Sequence, residues 1–226
     1  MLIPKILHQI WINADKPDLP PEFARYRDTW LERHPDWEYR LWNLENLDFE
    51  PRCANLLHQA QHYAQMADLL RIEILHRHGG VYVDVDFECL QSIDRILEDV
   101  TAFACSEDGR CITNSILGCV QGSEVMRQVI ESFPTRLGLA PVNVETGPVF
   151  LTHVLLTHGF SQDFTLFPTR YFFPFNYWTR SDQSVDYRGS YAVHHYADSW
   201  KTVEPRWKRV LFKLPRAMRS LVRRPS

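Results

Sequence analysis

The chain has 226 residues, of which 45% are hydrophobic and 23% charged, and a formal net charge of −3. That balance suits one domain with a sizeable core and excludes the strongly basic make-up of a nucleic-acid binder, so no nucleic acid is expected as a partner. Five cysteines, odd in number and without a Cys-x-x-Cys spacing, argue against a disulfide framework and a zinc ribbon, and make a reducing cytoplasm the expected compartment.

The apolar start Met1-Leu2-Ile3 is broken at once by Pro4 and Lys5, so no signal peptide is expected, and no run approaches the roughly 18 apolar residues of a membrane span. Lys5 to Trp11 reads as a first strand, apolar at nearly every position as a strand covered on both faces would be. His8, in its middle, reads as a hydrogen-bonded core histidine. Pro21 suits the first turn of a helix, and Phe23, Tyr26, Arg27, Trp30 and Leu31 then recur at helical spacing up to Pro35. Trp37 to Trp42 alternates as a second strand, completing the β-α-β opening usual in a nucleotide-binding half-domain.

From Ala54 to His78 the apolar spacing predicts a helix or a helix pair. Asp68 and Arg71 lie one turn apart beside its apolar stripe, where charge is costly unless paired, and a plain ion pair accounts for them. His76 and His78 fall on the helix side of the coming turn and are expected to be exposed. Gly79 and Gly80 stop the helix, and Val81, Tyr82 and Val83 suit a strand in a sheet interior. Asp84 and Asp86 follow at a spacing of two, which on a strand puts both carboxylates on one face. Two such carboxylates want a cation, their oxygens suit Mg²⁺ or Mn²⁺, and the carboxyl edge of an open α/β sheet is where ligands bind. Glu88 continues the spacing but reads as a solvated neighbour, because the chain is expected to leave the sheet there.

Beyond this point Ile93 to Val100 reads as a short helix, Thr101 to Cys105 and Asn114 to Val120 as strands, and Ser123 to Phe133 as an amphipathic helix. Thr146-Gly147-Pro148 opens an apolar helix through Leu156, stopped by Gly159. Phe164 to Phe175, dense in aromatics and proline, packs a sheet edge or stacks on sugar faces. Tyr191 to His195 is the last strand, followed by the Ser199-Trp200 loop.

Ala67-Asp68-x-x-Arg71, a short spacer, then Gly79-Gly80-Val81-Tyr82-x-Asp84-x-Asp86 resembles the core signature of glycosyltransferase family 32. That family includes the yeast initiating α-mannosyltransferases, bacterial capsule and lipopolysaccharide sugar transferases and, more distantly, the large clostridial glucosylating toxins. Ile3-Pro4-Lys5-Ile6-Leu7-His8-Gln9-Ile10-Trp11 resembles its opening strand, and His194-His195-Tyr196-Ala197-Asp198-Ser199-Trp200 its closing loop, so the matches span almost the whole chain in the family's order.

The resemblance implies a single α/β domain of GT-A type over residues 1–206, Rossmann-like, with a mixed central sheet and helices on both faces. It implies metal-dependent, retaining transfer of a hexose from a UDP- or GDP-sugar to a carbohydrate or lipid-linked acceptor, with an α-linked product, in bacterial-type polysaccharide or glycolipid synthesis. Asp86 is then the expected Mn²⁺ or Mg²⁺ ligand, Asp84 contacts ribose and sugar and the metal through water, and His194 completes the coordination. Asp68 takes sugar hydroxyls, Arg71 supports the sugar or diphosphate, Trp11 stacks on the base and Asn114 faces the sugar. Thr146-Gly147-Pro148 lines the acceptor side, and the Ser199-Trp200 loop closes on the diphosphate. No carboxylate announces itself as a nucleophile, which favours a front-face route assisted by the leaving phosphate.

Two other readings stand beside this one. A phosphohydrolase could use the Asp-x-Asp pair, although its motif normally sits on the first strand with Thr or Val where Glu88 stands, and a non-catalytic nucleotide-sugar-binding protein needs no turnover at all. An EF-hand loop is excluded, because its glycine and terminal glutamate are missing. From residue 207 the tail carries Lys208, Arg209, Lys213, Arg216, Arg219, Arg223 and Arg224 with no acid. Trp207, Val210, Leu211, Leu214, Met218, Leu221 and Val222 recur between them, which predicts an amphipathic tail that binds the anionic inner face of a membrane or packs on the domain.

Overall fold

Two glycines set the geometry of the whole molecule. In the computed structural model, which describes residues 2–13, 17–158, 164–179 and 185–197, Gly79 takes φ +66° and its N–H caps the preceding helix on Leu75 O at 2.8 Å. A Cβ at Gly79 would lie 2.6 Å from Gln121 N, and one at Gly80 2.6 Å from Ile6 O, so only glycine lets the next strand enter the sheet this tightly. The tail from residue 207, and with it the membrane expectation, lies outside the described residues, as do Ser199, Trp200 and Gly159.

In chain order the elements are β1 (Ile6–Ile10), α1 (Pro21–Arg33), β2 (Glu38–Trp42), α2 (Ala54–Leu57), α3 (Tyr63–His78), β3 (Gly80–Val83), β4 (Phe87–Cys89), β5 (Ala102–Ser106), β6 (Ile112–Cys119), α4 (Glu124–Glu131), α5 (Val142–Glu145), α6 (Pro148–His158), β7 (Phe164–Phe167) and β8 (Ala192–His194). The expected helix over Ile93–Val100 is a 3-10 turn, Asp94–Leu97. Six strands form one sheet in the order β2-β1-β3-β6-β5-β7, and β4 pairs with β8 in a separate ribbon. β2, β1 and β3 run parallel, β6 is antiparallel to β3 and β5, and β7 is parallel to β5, so the sheet is mixed.

Alternation along β3 divides the core. Val81 and Val83 pack with Trp30 of α1, Phe87, Phe103 and Ile116, whereas Tyr82 packs on the other face with Leu70 and Ile74 of α3, Leu117, Met126 and Leu151. Helices therefore cover both faces. The aromatic stretch serves the sheet edge, with Phe167, Phe172 and Phe173 buried and β7 paired on β5. His8 is fully buried, its Nε2 2.9 Å from Gly79 O and its Nδ1 3.0 Å from the Trp42 indole N–H. His76 and His78 are half-buried rather than exposed, because the His78 ring stacks on Trp42 at 5.3 Å. No helix among the described residues is long and apolar enough to cross a membrane.

Candidate active site

β3 ends at Val83, at the carboxyl edge of the parallel half of the sheet, and the acidic pair lies in the turn beyond it. The Asp84 N–H donates to Ser115 O at 2.9 Å, and the Phe87 N–H returns to Asp84 O at 3.2 Å, closing a tight turn. The two carboxylates thus converge through a turn, and not through the strand alternation expected from their spacing. β4 then pairs with β8 so that Phe87 stands opposite His194, and the His194 ring stacks on Phe87 at 4.6 Å. That register brings ligand atoms of Asp84, Asp86 and His194 within 4.8 Å of one another. Glu88 points elsewhere, its carboxylate 2.9 Å from His195 Nε2.

Each carboxylate has distinct partners. Asp84 Oδ1 accepts from the Tyr82 hydroxyl at 2.6 Å and lies 3.2 Å from Arg71 Nη1. Asp86 Oδ1 lies 3.2 Å from His194 Nε2, and its Oδ2 accepts from the Ala197 N–H at 2.9 Å. Burial pushes the Asp84 carboxyl above the usual range, and the neighbouring Asp86 charge adds to this against Arg71. Burial also opposes ionisation of Asp86, but the His194 charge and the hydrogen bonds from His194 and Ala197 outweigh it and hold that carboxyl low. His194 is raised for the reciprocal reason: burial disfavours its charge, and Asp86, Asp84 and Glu107 overcome it. Its Nδ1 is buried with no hydrogen-bond partner among the described residues.

A second layer stands behind this one on α3. Arg71 Nη2 lies 3.1 Å from Asp68 Oδ1, its Nη1 donates to Asn114 O at 2.5 Å, and its guanidinium lies 4.5 Å over the Tyr82 ring. Asp68 also accepts from Asn114 Nδ2 at 2.8 Å and from Thr146 Oγ1 at 3.0 Å. Among the described residues, Asp68 and Asp84 are thus balanced by Arg71 as their permanent cation, and Asp86 by His194 when protonated.

A cavity of about 190 Å³ opens over the turn, lined among others by Trp11, Asn13, Arg71, Asp84, Asp86, His194 and Tyr196. Trp11 sits at the end of β1 on one side of it, with Phe23 edge-on at 5.5 Å. Asp68 and Asn114 do not line the cavity. The sugar-hydroxyl role expected for Asp68 would require it to exchange Asn114 or Thr146 for a hydroxyl. Tyr82, Tyr196 and Glu107 were not among the expected site residues. Tyr82 was readable, since its spacing of two from Asp84 puts both on one side; Tyr196, at φ +51°, and Glu107 arrive by long-range register that no local pattern reveals.

Comparison with known proteins agrees with this geometry. Residues 20–102 match the glycosyltransferase sugar-binding region containing a DXD motif. Over 161 residues the chain is 28% identical to inositol phosphoceramide mannosyltransferase 3 of Schizosaccharomyces pombe, covering 66% of this chain and 44% of that protein. It is 25% identical over 213 residues to an uncharacterized glycosyltransferase of Acanthamoeba polyphaga mimivirus, covering 88% of this chain and 84% of the relative. The chain therefore spans less than half the length of the fission-yeast relative. Among solved structures, the PaToxG glycosyltransferase superposes with a TM-score of 0.56 at 16% identity, over 69% of this chain and 70% of that one, and the fold is GT-A.

Proposed function

We propose that this chain, which carries the DXD-containing glycosyltransferase sugar-binding region on a GT-A fold, is a metal-dependent, retaining hexosyltransferase that takes a nucleoside diphosphate sugar as donor. The observation that carries this reading is the convergence of Asp84, Asp86 and His194 on a cavity whose other walls hold Arg71 and Trp11. Oxygen and imidazole donors suit Mn²⁺ or Mg²⁺, and ligand atoms of Asp84, Asp86 and His194 lie within 4.8 Å of one another, close enough to share one ion. Such an ion would neutralise charge building on the leaving diphosphate more in the transition state than in the ground state.

The chain's own residues supply the rest. Asp86 and His194 would hold the cation, and Asp84, tied by Tyr82 and Arg71, would orient the donor beside it. Arg71 is locked by Asp68, Asn114 O and Ala67 O, so it adds fixed positive charge at the diphosphate without reorganising. Trp11 offers a ring for the base. Among the described residues, the carboxylates lining the cavity are Asp84 and Asp86, and both are engaged. This supports a front-face route in which the leaving phosphate takes the acceptor proton. Ser199 and Trp200 would close over the diphosphate.

The mannosyltransferase name of the fission-yeast relative makes a nucleoside diphosphate mannose the first donor to test. A carbohydrate or lipid-linked hydroxyl is the proposed acceptor, reached from the cytoplasmic face of a membrane with the basic tail as contact. Hydrolysis of GDP- and UDP-sugars is measured with Mn²⁺ and with EDTA. Turnover of at least one donor, lost with EDTA, is expected; metal-dependent nucleotide binding with no turnover of any donor would make the chain a binding protein instead.

A further inference from the structure

We infer that the exposed rings of Trp178 and Tyr187 form a carbohydrate-binding platform for the pyranose of the acceptor, joined to the donor cavity by a ladder of aromatic contacts. The inference rests on the sugar-transfer reading and assigns the acceptor side, which the residues at the acidic turn leave open. Trp178 is 85% exposed and Tyr187 46%, the former the most exposed large apolar side chain among the described residues. Both connect inward to Tyr196, which lines the cavity and packs 4.3 Å from His194. One branch runs from Tyr196 to Tyr177 at 5.8 Å and on to Trp178 at 5.2 Å. The other runs from Tyr196 to Phe175 at 6.0 Å and on to Tyr187 at 6.5 Å.

The outer contacts are edge-on, with interplanar angles of 88° for Tyr177–Trp178 and 86° for Phe175–Tyr187. The Trp178 backbone is pinned in a turn. Asn176 Oδ1 accepts from the Trp178 N–H at 2.9 Å and the Thr179 N–H at 3.1 Å, and the Asn176 N–H donates to Thr179 Oγ1 at 3.1 Å. A ring displayed on a fixed turn loses little entropy on binding.

A pyranose ring is the matching ligand, because it has an apolar C–H face and a rim of hydroxyls. The surface alternates in the same way: the Asp186–Arg188 ion pair flanks Tyr187, and Thr179 flanks Trp178. The position also suits the reaction, since both branches end on Tyr196 in the wall of the cavity.

The test uses the full chain and methyl α-D-mannopyranoside with a panel of other methyl glycosides, read by ligand-observed saturation-transfer NMR. Signal on the C–H face protons is expected for the wild type, lost in Trp178→Ala and restored in Trp178→Phe, with a weaker loss in Tyr187→Ala. Where donor turnover is found, the ratio of transfer to hydrolysis should fall about tenfold in Trp178→Ala, the scale of one lost aromatic anchor. Equal NMR signal in wild type and Trp178→Ala overturns the platform. So does unchanged glycoside binding with reduced binding to phosphatidylserine vesicles, which would make the ring a membrane contact. If no donor is hydrolysed, the sugar-transfer reading falls, while the glycoside spectra still decide the platform.

Discussion

Glu145 and the Asp84–Asp86 pair are both acids drawn into the interior of the same domain, and they are satisfied in opposite ways. Glu145, 7% exposed, accepts from the backbone N–H groups of Gly138, Leu139 and Ala140 at 3.0, 2.7 and 3.0 Å, and from Gln65 Nε2 at 3.0 Å. Burial works against its charge, but these donors outweigh it and hold the carboxyl below its usual range. Every donor is neutral and fixed, so the site is closed and clamps the 138–140 loop. At the turn after β3 the donors are few and several are themselves ionisable, and Asp84 remains pushed up. A carboxylate met only by backbone amides and a side-chain amide is finished; a pair that shares one guanidinium, one imidazole, the Tyr82 hydroxyl and the Ala197 N–H still has room for a cation.

The comparison breaks most clearly at Asp86. Asp86→Asn keeps shape and removes the charge that holds the ion, so turnover with Mn²⁺ should fall by a factor on the order of 10² or more, while the thermal midpoint falls only modestly as the ion pair with His194 is lost. Kinetics with a Mn²⁺ titration check this, and wild-type turnover in the variant removes the metal assignment. Glu145→Ala should behave in reverse. Its loss leaves the loop amides and Gln65 without a charged acceptor, and water recovers only part of this, so urea unfolding should show a loss of about 3–4 kcal/mol. Turnover per folded molecule should be kept.

His8 extends the closed class to a base. Its Nδ1 accepts from the Trp42 indole and its Nε2 faces Gly79 O, so a second ring proton would point at the Trp42 N–H, and burial lowers its pKa from 6.5 to about 4. Between those values the unfolded chain takes up a proton that the folded one refuses. The stability this group contributes is therefore present above pH 6.5, falls as the pH drops toward 4, and is flat below that. The shift corresponds to about 3 kcal/mol. Urea unfolding of wild type and His8→Gln across this window checks it, the variant losing the slope.

Much of this was legible from local pattern. Periodicity found α1 and the helix pair α2 and α3, the glycines found the start of β3, and the run of valines around Tyr82 placed the acidic pair at a sheet edge. What local pattern could not supply was pairing. That β4 leaves the main sheet to pair with β8, and so carries His194 onto the turn, depends on a register between residues more than a hundred positions apart. The same holds for Asp68: its spacing to Arg71 was plain, but its contacts with Asn114 and Thr146 arise from strand and loop packing across the core. Within Thr146-Gly147-Pro148, expected to line the acceptor side, the Thr146 hydroxyl lies 3.0 Å from Asp68 Oδ2, a contact that spacing alone does not reveal.

Thr146 offers the finest test, because it follows Glu145 directly in the chain yet touches the site. Its hydroxyl lies 3.0 Å from Asp68 Oδ2 and 3.3 Å from Val142 O, and its single proton can serve only one of them. Given to Asp68, it is a donor to the carboxylate that steadies Arg71; given to Val142, it merely closes α5. Thr146→Val removes the hydroxyl at nearly constant volume and should cost about 1 kcal/mol of stability in either case. The two assignments separate in turnover. If the proton serves Asp68, donor hydrolysis per folded molecule should fall a few-fold, roughly the factor that 1 kcal/mol represents, and Thr146→Ser should restore it. If Thr146 belongs with Glu145 as loop structure, both variants should turn over donor at the wild-type rate, and the second layer behind Arg71 ends at Asn114.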